Sequence, residues 1–222
     1  MISDLLLLFV PDPLTPVSVV FLLFASVAGS FISTAFGLGG GLTLLATMTI
    51  FLPPAILIPV HAMIQFGSIV GRLGVMFRQI AWSIMAPFAI GASIGALVGA
   101  QLLVELPDGW LEIILGSFIV YACYGPIPSL RHNSRARLGV AGAITTGLSL
   151  FVGATGPLVG ALLRGVGLDR VTHVATFAAC MLMHQIFKIT VFGFMGFVFA
   201  PYIPFILAMI ATGFIGTLIG RR

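Results

Sequence analysis

The stretch AGSFISTAFGLGGGLTLL, residues 28–45, decides the fold of this chain. A serine-dotted apolar segment runs into the glycine-rich sequence GLGGG at 37–41, and the next segment, 42–52, ends at Pro53-Pro54. That segment has about 11 residues, roughly half of the 20 that a helix needs to cross ~30 Å of hydrocarbon. A helix interrupted at membrane depth is tolerated only where it packs in protein or lines a cavity. The pattern therefore predicts a broken or re-entrant helix.

A looser copy of this pattern occurs later as AGAITTGLSLFVGATGPL, residues 141–158. Glycines and a proline interrupt the segment 139–163 and predict a second broken hairpin. A shift of 116 residues pairs Ser33 with Ser149, Gly37 with Gly153, Gly40 with Gly156, Ser68 with His184 and Arg72 with Lys188. After a loop about five residues longer, Gly95 and Gly99 pair with Gly216 and Gly220. The consistent order of these pairs predicts two internal repeats.

The composition places both repeats in a membrane. Only 16 of the 222 residues are charged (10 Lys+Arg and 6 Asp+Glu), too few to cover a water-soluble globule. The cations form no continuous basic face, which argues against a nucleic-acid partner, and Cys123 and Cys180 lie in apolar runs that fit neither a disulfide framework nor zinc spacing. We expect no metal and no cofactor. The predicted spans lie near 15–37, 55–77, 82–103, 109–125, 170–196 and 200–220.

The charges also predict the orientation. Arginines at 78, in the cluster 131–137 and at 221–222 mark cytoplasmic ends, whereas the loops with acidic residues 4, 12, 105 and 108 lack Lys and Arg. We therefore expect a periplasmic N-terminus, a cytoplasmic C-terminus and halves of opposite orientation. The fold class is an all-α polytopic membrane protein with two inverted-topology repeats, each a broken or re-entrant hairpin followed by transmembrane helices. The expected division is an N-terminal surface segment at 1–14, a first repeat at 15–125, a basic cytoplasmic loop at 126–138, and a second repeat, one helix shorter, at 139–222.

The two glycine breaks suggest an anion site. Glycines leave the first N–H groups of the following helix free, and that helix end carries roughly half a positive charge. The candidate groups are the backbone at Gly39, Gly40 and Gly41 and, at the second break, Thr155 and Gly156, with Thr155 as a possible helix cap and Pro157 at the first helical position. The alternative is that these glycines only allow close helix packing, the role that we assign to the glycine rows at 91, 95, 99 and at 213, 216, 220.

Polar stripes on two of the predicted spans would complete the site. His61, Gln65, Ser68 and Arg72, spaced by 4, 3 and 4, share one helical face, and His173, Cys180, His184 and Lys188 form a similar stripe. Such stripes are expected to face a cavity, although Arg72 and Lys188 could instead snorkel to the headgroups. His61 and His184 are proton-coupling candidates, because no carboxylate lies deep in a span. A buried neutral His184 held by a neighbouring helix is the alternative.

The two quoted stretches, in this topological setting, resemble the sulfite exporter TauE/SafE family of bacterial membrane proteins. The resemblance implies a secondary transporter of sulfite, sulfonates or similar small sulfur-containing anions in the bacterial inner membrane. We expect alternating access around an anion site that Ser33, Ser149, Gln65 and His184 complete with hydrogen bonds, and around which Arg72 and Lys188 supply the field. The alternatives are a non-transporting membrane component that binds a partner, and a passive anion channel. An enzyme is not expected, since no Ser or Cys nucleophile stands beside a base.

Overall fold

The computed structural model describes residues 10–36, 39–107, 109–125 and 134–220, and within these ranges the only regular elements are helices. The side chains at 35, 36, 72 and 75 are not described. We number the α-helices α1 (Pro16–Phe36), α2 (Gly40–Met48), α3 (Pro54–Met76), α4 (Trp82–Val104), α5 (Trp110–Tyr124), α6 (Arg135–Val152), α7 (Gly156–Arg164), α8 (Arg170–Phe194) and α9 (Ile203–Gly220). Short 3₁₀ turns at Phe77–Gln79 and Ala200–Tyr202 precede α4 and α9.

Both predicted helix breaks are confirmed. Gly39, directly before α2, has φ of 99°, and Gly153, directly after α6, has φ of 71°. Glycine adopts this left-handed backbone region at little steric cost, so each glycine can redirect the chain. The short helices α2 and α7 have 9 residues each, about 13 Å of length at 1.5 Å per residue and well under one crossing.

The second hairpin is longer than the sequence predicted. Its first helix begins at Arg135 rather than near residue 139, because the Ser134 side chain accepts a hydrogen bond from the Arg137 N–H and so caps the first turn. The start of α6 therefore lies inside the segment 126–138 that was predicted to be a basic loop. The rest of that loop, 126–133, the segment 1–9 and the positions 37, 108, 221 and 222 lie outside the described residues.

Within the described ranges, five helical segments are long and apolar enough to cross a membrane: Pro16–Thr34, Pro54–Gly71, Trp82–Val104, Arg170–Phe194 and Ala200–Gly220. The predicted span at 109–125 is shorter than expected, since α5 has only 15 residues. On α1, side chains such as Phe24, which is 73% exposed, point outward. Such a surface suits acyl chains rather than water.

Helices of the two halves pack against each other through equivalent contacts. In α4, a Cβ added to Gly95 would lie 2.0 Å from the Ala143 carbonyl oxygen of α6; in α9, one added to Gly216 would lie 2.1 Å from the Val27 carbonyl oxygen of α1. Val27 and Ala143 are 116 residues apart, so the pair of contacts repeats under the shift seen in the sequence. The packing role predicted for these glycines is confirmed, because only a missing Cβ allows backbones this close.

The short helices are placed differently in the two halves. Helix α2 packs mainly against α1, where Gly40 lies directly on the carbonyl of Gly29. The residue equivalent to Gly29 in the second half is Thr145. Its side chain prevents the same approach, and α7 packs mainly against α8 instead.

Candidate anion site

A cavity lies between the two helix breaks. It is lined by residues of α1, α2 and α3 on one side and of the second break, α7 and α8 on the other. The cavity volume is about 80 Å³, which is more than the ~30 Å³ share of one water molecule and suits a small anion. The two interrupted segments thus meet at a common cavity.

The first break supplies backbone hydrogen-bond donors. Gly39, Gly40, Gly41 and Leu42 line the cavity at the start of α2. The first intrahelical hydrogen bond of α2 runs from the Thr43 N–H to the Gly39 carbonyl, so the N–H groups of the three preceding residues have no partner within the helix. This positive helix end is therefore open to an anion.

Side chains of α3 and α1 form the polar wall of the cavity. His61, Gln65 and Ser68 of α3 line it, as the sequence stripe predicted. Three serines of α1 stand in the same cavity: Ser26, Ser30 and Ser33. Their spacing of 4 and 3 repeats that of the first three polar residues on α3, so both helices turn one polar face to the site.

The second break offers fewer donors than the first. Gly156 and Pro157 line the cavity, but proline has no N–H, and the Leu158 N–H already bonds to the Thr155 carbonyl. Thr155 occupies the cap position, yet its side chain makes no capping bond, and Pro157 is the second residue of α7 rather than the first. The expectation of a Thr155 cap was therefore wrong, because its hydroxyl is held by His184, 3.0 Å away.

His184 belongs to a series of hydrogen bonds that links Thr155, at the second break, to Thr145 of α6. The Thr145 hydroxyl donates to the Ala141 carbonyl at 2.7 Å, so its oxygen accepts from His184 Nε2, 3.4 Å away. His184 Nδ1 is then unprotonated and accepts from the Thr155 hydroxyl. Phe88 stacks on the ring at 5.6 Å. The arrangement holds a neutral imidazole with both nitrogens satisfied, and His184 positions Thr155 rather than lining the cavity.

The side chain of Lys188 contacts the backbone of the same break. Its ammonium group is fully buried and donates to the carbonyl of Gly153, the residue that ends α6. A cation is favourable at the carbonyl end of a helix. The sequence contains no acidic residue between 13 and 104 or after 169, so neither α3 nor α8 offers this charge a carboxylate. Lys188 does not snorkel to the membrane surface in this structure.

Two buried acceptor atoms beside the cavity have no hydrogen-bond partner among the described residues. His61 Nε2 lies 3.0 Å from the Gly41 carbonyl. A carbonyl can only accept, so Nε2 carries the proton and Nδ1 is left as an acceptor without a donor. Gln185, on α8, lines the cavity with only 1% of its surface exposed, and its Oε1 is unpaired as well.

The comparisons with known proteins agree with this architecture. The sequence profile described as "Sulfite exporter TauE/SafE" matches residues 21–222. The chain belongs to the sulfite exporter TauE/SafE family. A curated relative, the "Probable inner membrane transporter protein TsaS" of Comamonas testosteroni, is 29% identical over 98 residues, which are 41% of this chain and 40% of that protein. The chain thus matches less than half the length of that relative, and no solved structure matches it.

For this TauE/SafE chain, the structure brings together part of the predicted site. The predicted residues that line the cavity are Ser33, Gly39, Gly40, Gly41, His61, Gln65 and Gly156. Those that lie behind it, buried and bonded within the protein, are Ser149, Thr155, His184 and Lys188. The side chain of Arg72 lies outside the described part of the chain.

Sequence reasoning missed several lining residues. Ser26 and Ser30 follow the i, i+4, i+7 pattern with Ser33, a signal that was readable in the sequence. Gln185 was overlooked beside His184, although a glutamine inside an apolar span needs a partner. Met181 and Phe177, one and two turns before Gln185, give the α8 wall an apolar character that contrasts with α3.

Proposed function

We propose that the protein is a secondary transporter that moves a small sulfur-containing anion across the bacterial inner membrane. The observation that carries this proposal is the cavity at which the open N-terminal end of α2 meets the second helix break. In a membrane, a half-helix end of this polarity is a recurrent way to hold an anionic group. The name of the Comamonas testosteroni relative supports the inner membrane as the location, and the name of the family supports the substrate class.

The two hydrophobic cores support a two-body mechanism. One core joins residues of α1, α2, α3 and α9, such as Leu22, Leu45 and Phe205, with a side chain from the middle of α5 and side chains near the C-terminal ends of α4, α6 and α8. The other joins residues of α4, α6, α7 and α8, such as Phe88 and Leu163, with the end of α3. The anion cavity lies between these two groups of helices.

Alternating access then moves these two helix groups rather than the two halves of the sequence. The backbone contacts of Gly95 with Ala143 and of Gly216 with Val27 fasten α4 to the second half and α9 to the first. Rocking one half against the other would tear both contacts. Motion between the two cores leaves them intact, with α3 and α8 sliding at the interface. Inverted orientation of the repeats would make the two end states equivalent by pseudo-symmetry.

Transport currents test this proposal. Purified protein in proteoliposomes on a solid-supported membrane is given sulfite, sulfoacetate or chloride. We expect saturable currents with the sulfur anions and none with chloride. Gln65→Leu, inside the cavity, should lower these currents, whereas Gln101→Leu, on the exposed surface of α4, should leave them unchanged. Silence with every sulfur anion at several pH values would refute the proposal, and currents that never saturate would indicate a channel.

A further inference from the structure

The two unpaired acceptors restrict what the cavity can hold. His61 Nδ1 and Gln185 Oε1 are buried, both residues line the cavity, and neither atom has a partner among the described residues. A buried acceptor without a donor costs free energy, so the occupant of the cavity is the natural source of one. One of these atoms is on α3 and the other is on α8, so both sides of the cavity need a hydrogen-bond donor.

The other polar groups of the cavity have the opposite character. The N–H groups at the start of α2 can only donate, and the hydroxyls of Ser30, Ser33 and Ser68 can donate to an oxyanion. An anion that offers only acceptor oxygens would satisfy these donors and leave His61 Nδ1 and Gln185 Oε1 unpaired. A ligand with an acceptor end and a donor group would satisfy both sets.

Resting on the proposed function, we propose that the site selects anions that carry a hydrogen-bond donor of their own. The anionic oxygens would lie at the N-terminal end of α2, and the donor would reach His61 Nδ1 or Gln185 Oε1. The donor could be the O–H of a singly protonated oxyanion or a hydroxyl or ammonium group on an organic anion. These sources share one recognition chemistry.

Two sets of matched compounds distinguish a donor on the carbon chain from a donor on the oxyanion itself. Ethanesulfonate and 2-hydroxyethanesulfonate differ only in the hydroxyl donor on the carbon chain, whereas 2-aminoethanesulfonate carries an ammonium donor that also makes the molecule a net-neutral zwitterion. Methanesulfonate and methylphosphonate, compared at a mildly acidic pH where both are monoanions, differ in one O–H on the oxyanion. Binding is measured by isothermal calorimetry on the full chain in lipid nanodiscs.

We expect at least one donor-bearing anion to bind about tenfold more tightly than its donor-free counterpart, the effect of one buried hydrogen bond. The arm that shows the preference identifies the source of the donor. Gln185→Met should reduce a preference that depends on Oε1. Gln101→Met, on the exposed surface of α4, is the control and should change neither affinity.

Equal affinities within both sets for the wild-type protein would overturn the inference, because water would then suffice for the two acceptors. That result would leave the proposed function standing, since the anions would still bind. Failure of all five compounds to bind would instead count against the anion site itself. The wild-type comparison decides the question even if Gln185→Met does not fold.

Discussion

The contact between Gly40 and Gly29 makes a sharp test of how α2 is positioned. A Cβ on residue 40 would lie 1.9 Å from the Gly29 carbonyl oxygen and 2.7 Å from the Ser33 Cβ. Ordinary contact begins at 3.4 Å, so Gly40→Ala requires α1 and α2 to separate by the difference, 1.5 Å. The nearest obstacle is backbone, and no change of rotamer can relieve it.

The expected cost follows from this displacement. Overpacking of this kind destabilises the fold by about 1–3 kcal/mol. The higher helix propensity of alanine than of glycine offsets about 1 kcal/mol of this at most. For a chain of this size, each kcal/mol shifts the melting temperature by about 2–4 °C. We expect Gly40→Ala to melt several degrees lower and, because the shift exceeds the tolerance of a hydrogen bond, to lose about tenfold or more in anion affinity.

The assay is thermal unfolding in detergent, followed by anion binding in nanodiscs. Gly71→Ala is the matched control, because nothing lies within 4 Å of a Cβ added at that helical position. If Gly40→Ala behaves like Gly71→Ala in both assays, then α2 is not held by the close approach to α1, and our account of the donor end is incorrect.

Three further predictions test the packing, the buried cation and a helix cap. Gly95→Ala and Gly216→Ala should both lower the melting temperature, since the added Cβ meets backbone at 2.0 and 2.1 Å, and a neutral result for either would contradict the proposed equivalence. Lys188→Gln keeps a donor for the Gly153 carbonyl but removes the charge, so we expect a near-normal melting temperature with weaker anion currents; unchanged currents would show that the charge does not act on the anion. Hydrogen bonds from the Thr172 side chain and N–H, and from the Val171 N–H, hold the pKa of Asp169 below its usual range, so its capping of α8 stabilises the fold above the unfolded-state pKa and is lost as pH falls through the folded one. Melting curves from neutral to acidic pH should show this loss in the wild type and less of it in Asp169→Asn, and identical curves would refute it.

Much of the fold could be predicted because a membrane requires long uncharged helical segments, and these are easily recognised in a sequence. Uncharged runs of about 20 residues marked the long helices, and glycine with proline marked both breaks. His61, Gln65 and Ser68 lie on one face of a helix with 3.6 residues per turn, so they were predicted to face a cavity together. In the structure, all three side chains line the anion cavity.

The second half of the site could not be predicted in the same way. Ser33 and Ser149 are equivalent in the repeats, yet Ser33 lines the cavity and Ser149 donates to the Thr146 carbonyl in a fully buried place. The difference arises at Gly29 and its equivalent, Thr145. The missing side chain of Gly29 lets α2 pack directly on α1, whereas the side chain of Thr145 keeps α7 away from α6. No periodicity in a single helix reports such a contact between helices.

The sequence by itself determined that this chain crosses a membrane, that two of its helices are interrupted, and which faces of its spans are polar. These follow from local rules, since hydrocarbon excludes charge and an unsatisfied backbone, whatever the rest of the chain does. Only the tertiary structure decided that His184 is tied to Thr145 and Thr155, that Lys188 closes the end of α6, and that Gln185 faces the cavity. A buried polar group acquires its role from the partners that packing brings within hydrogen-bond distance, and those partners lie tens of residues away in the chain.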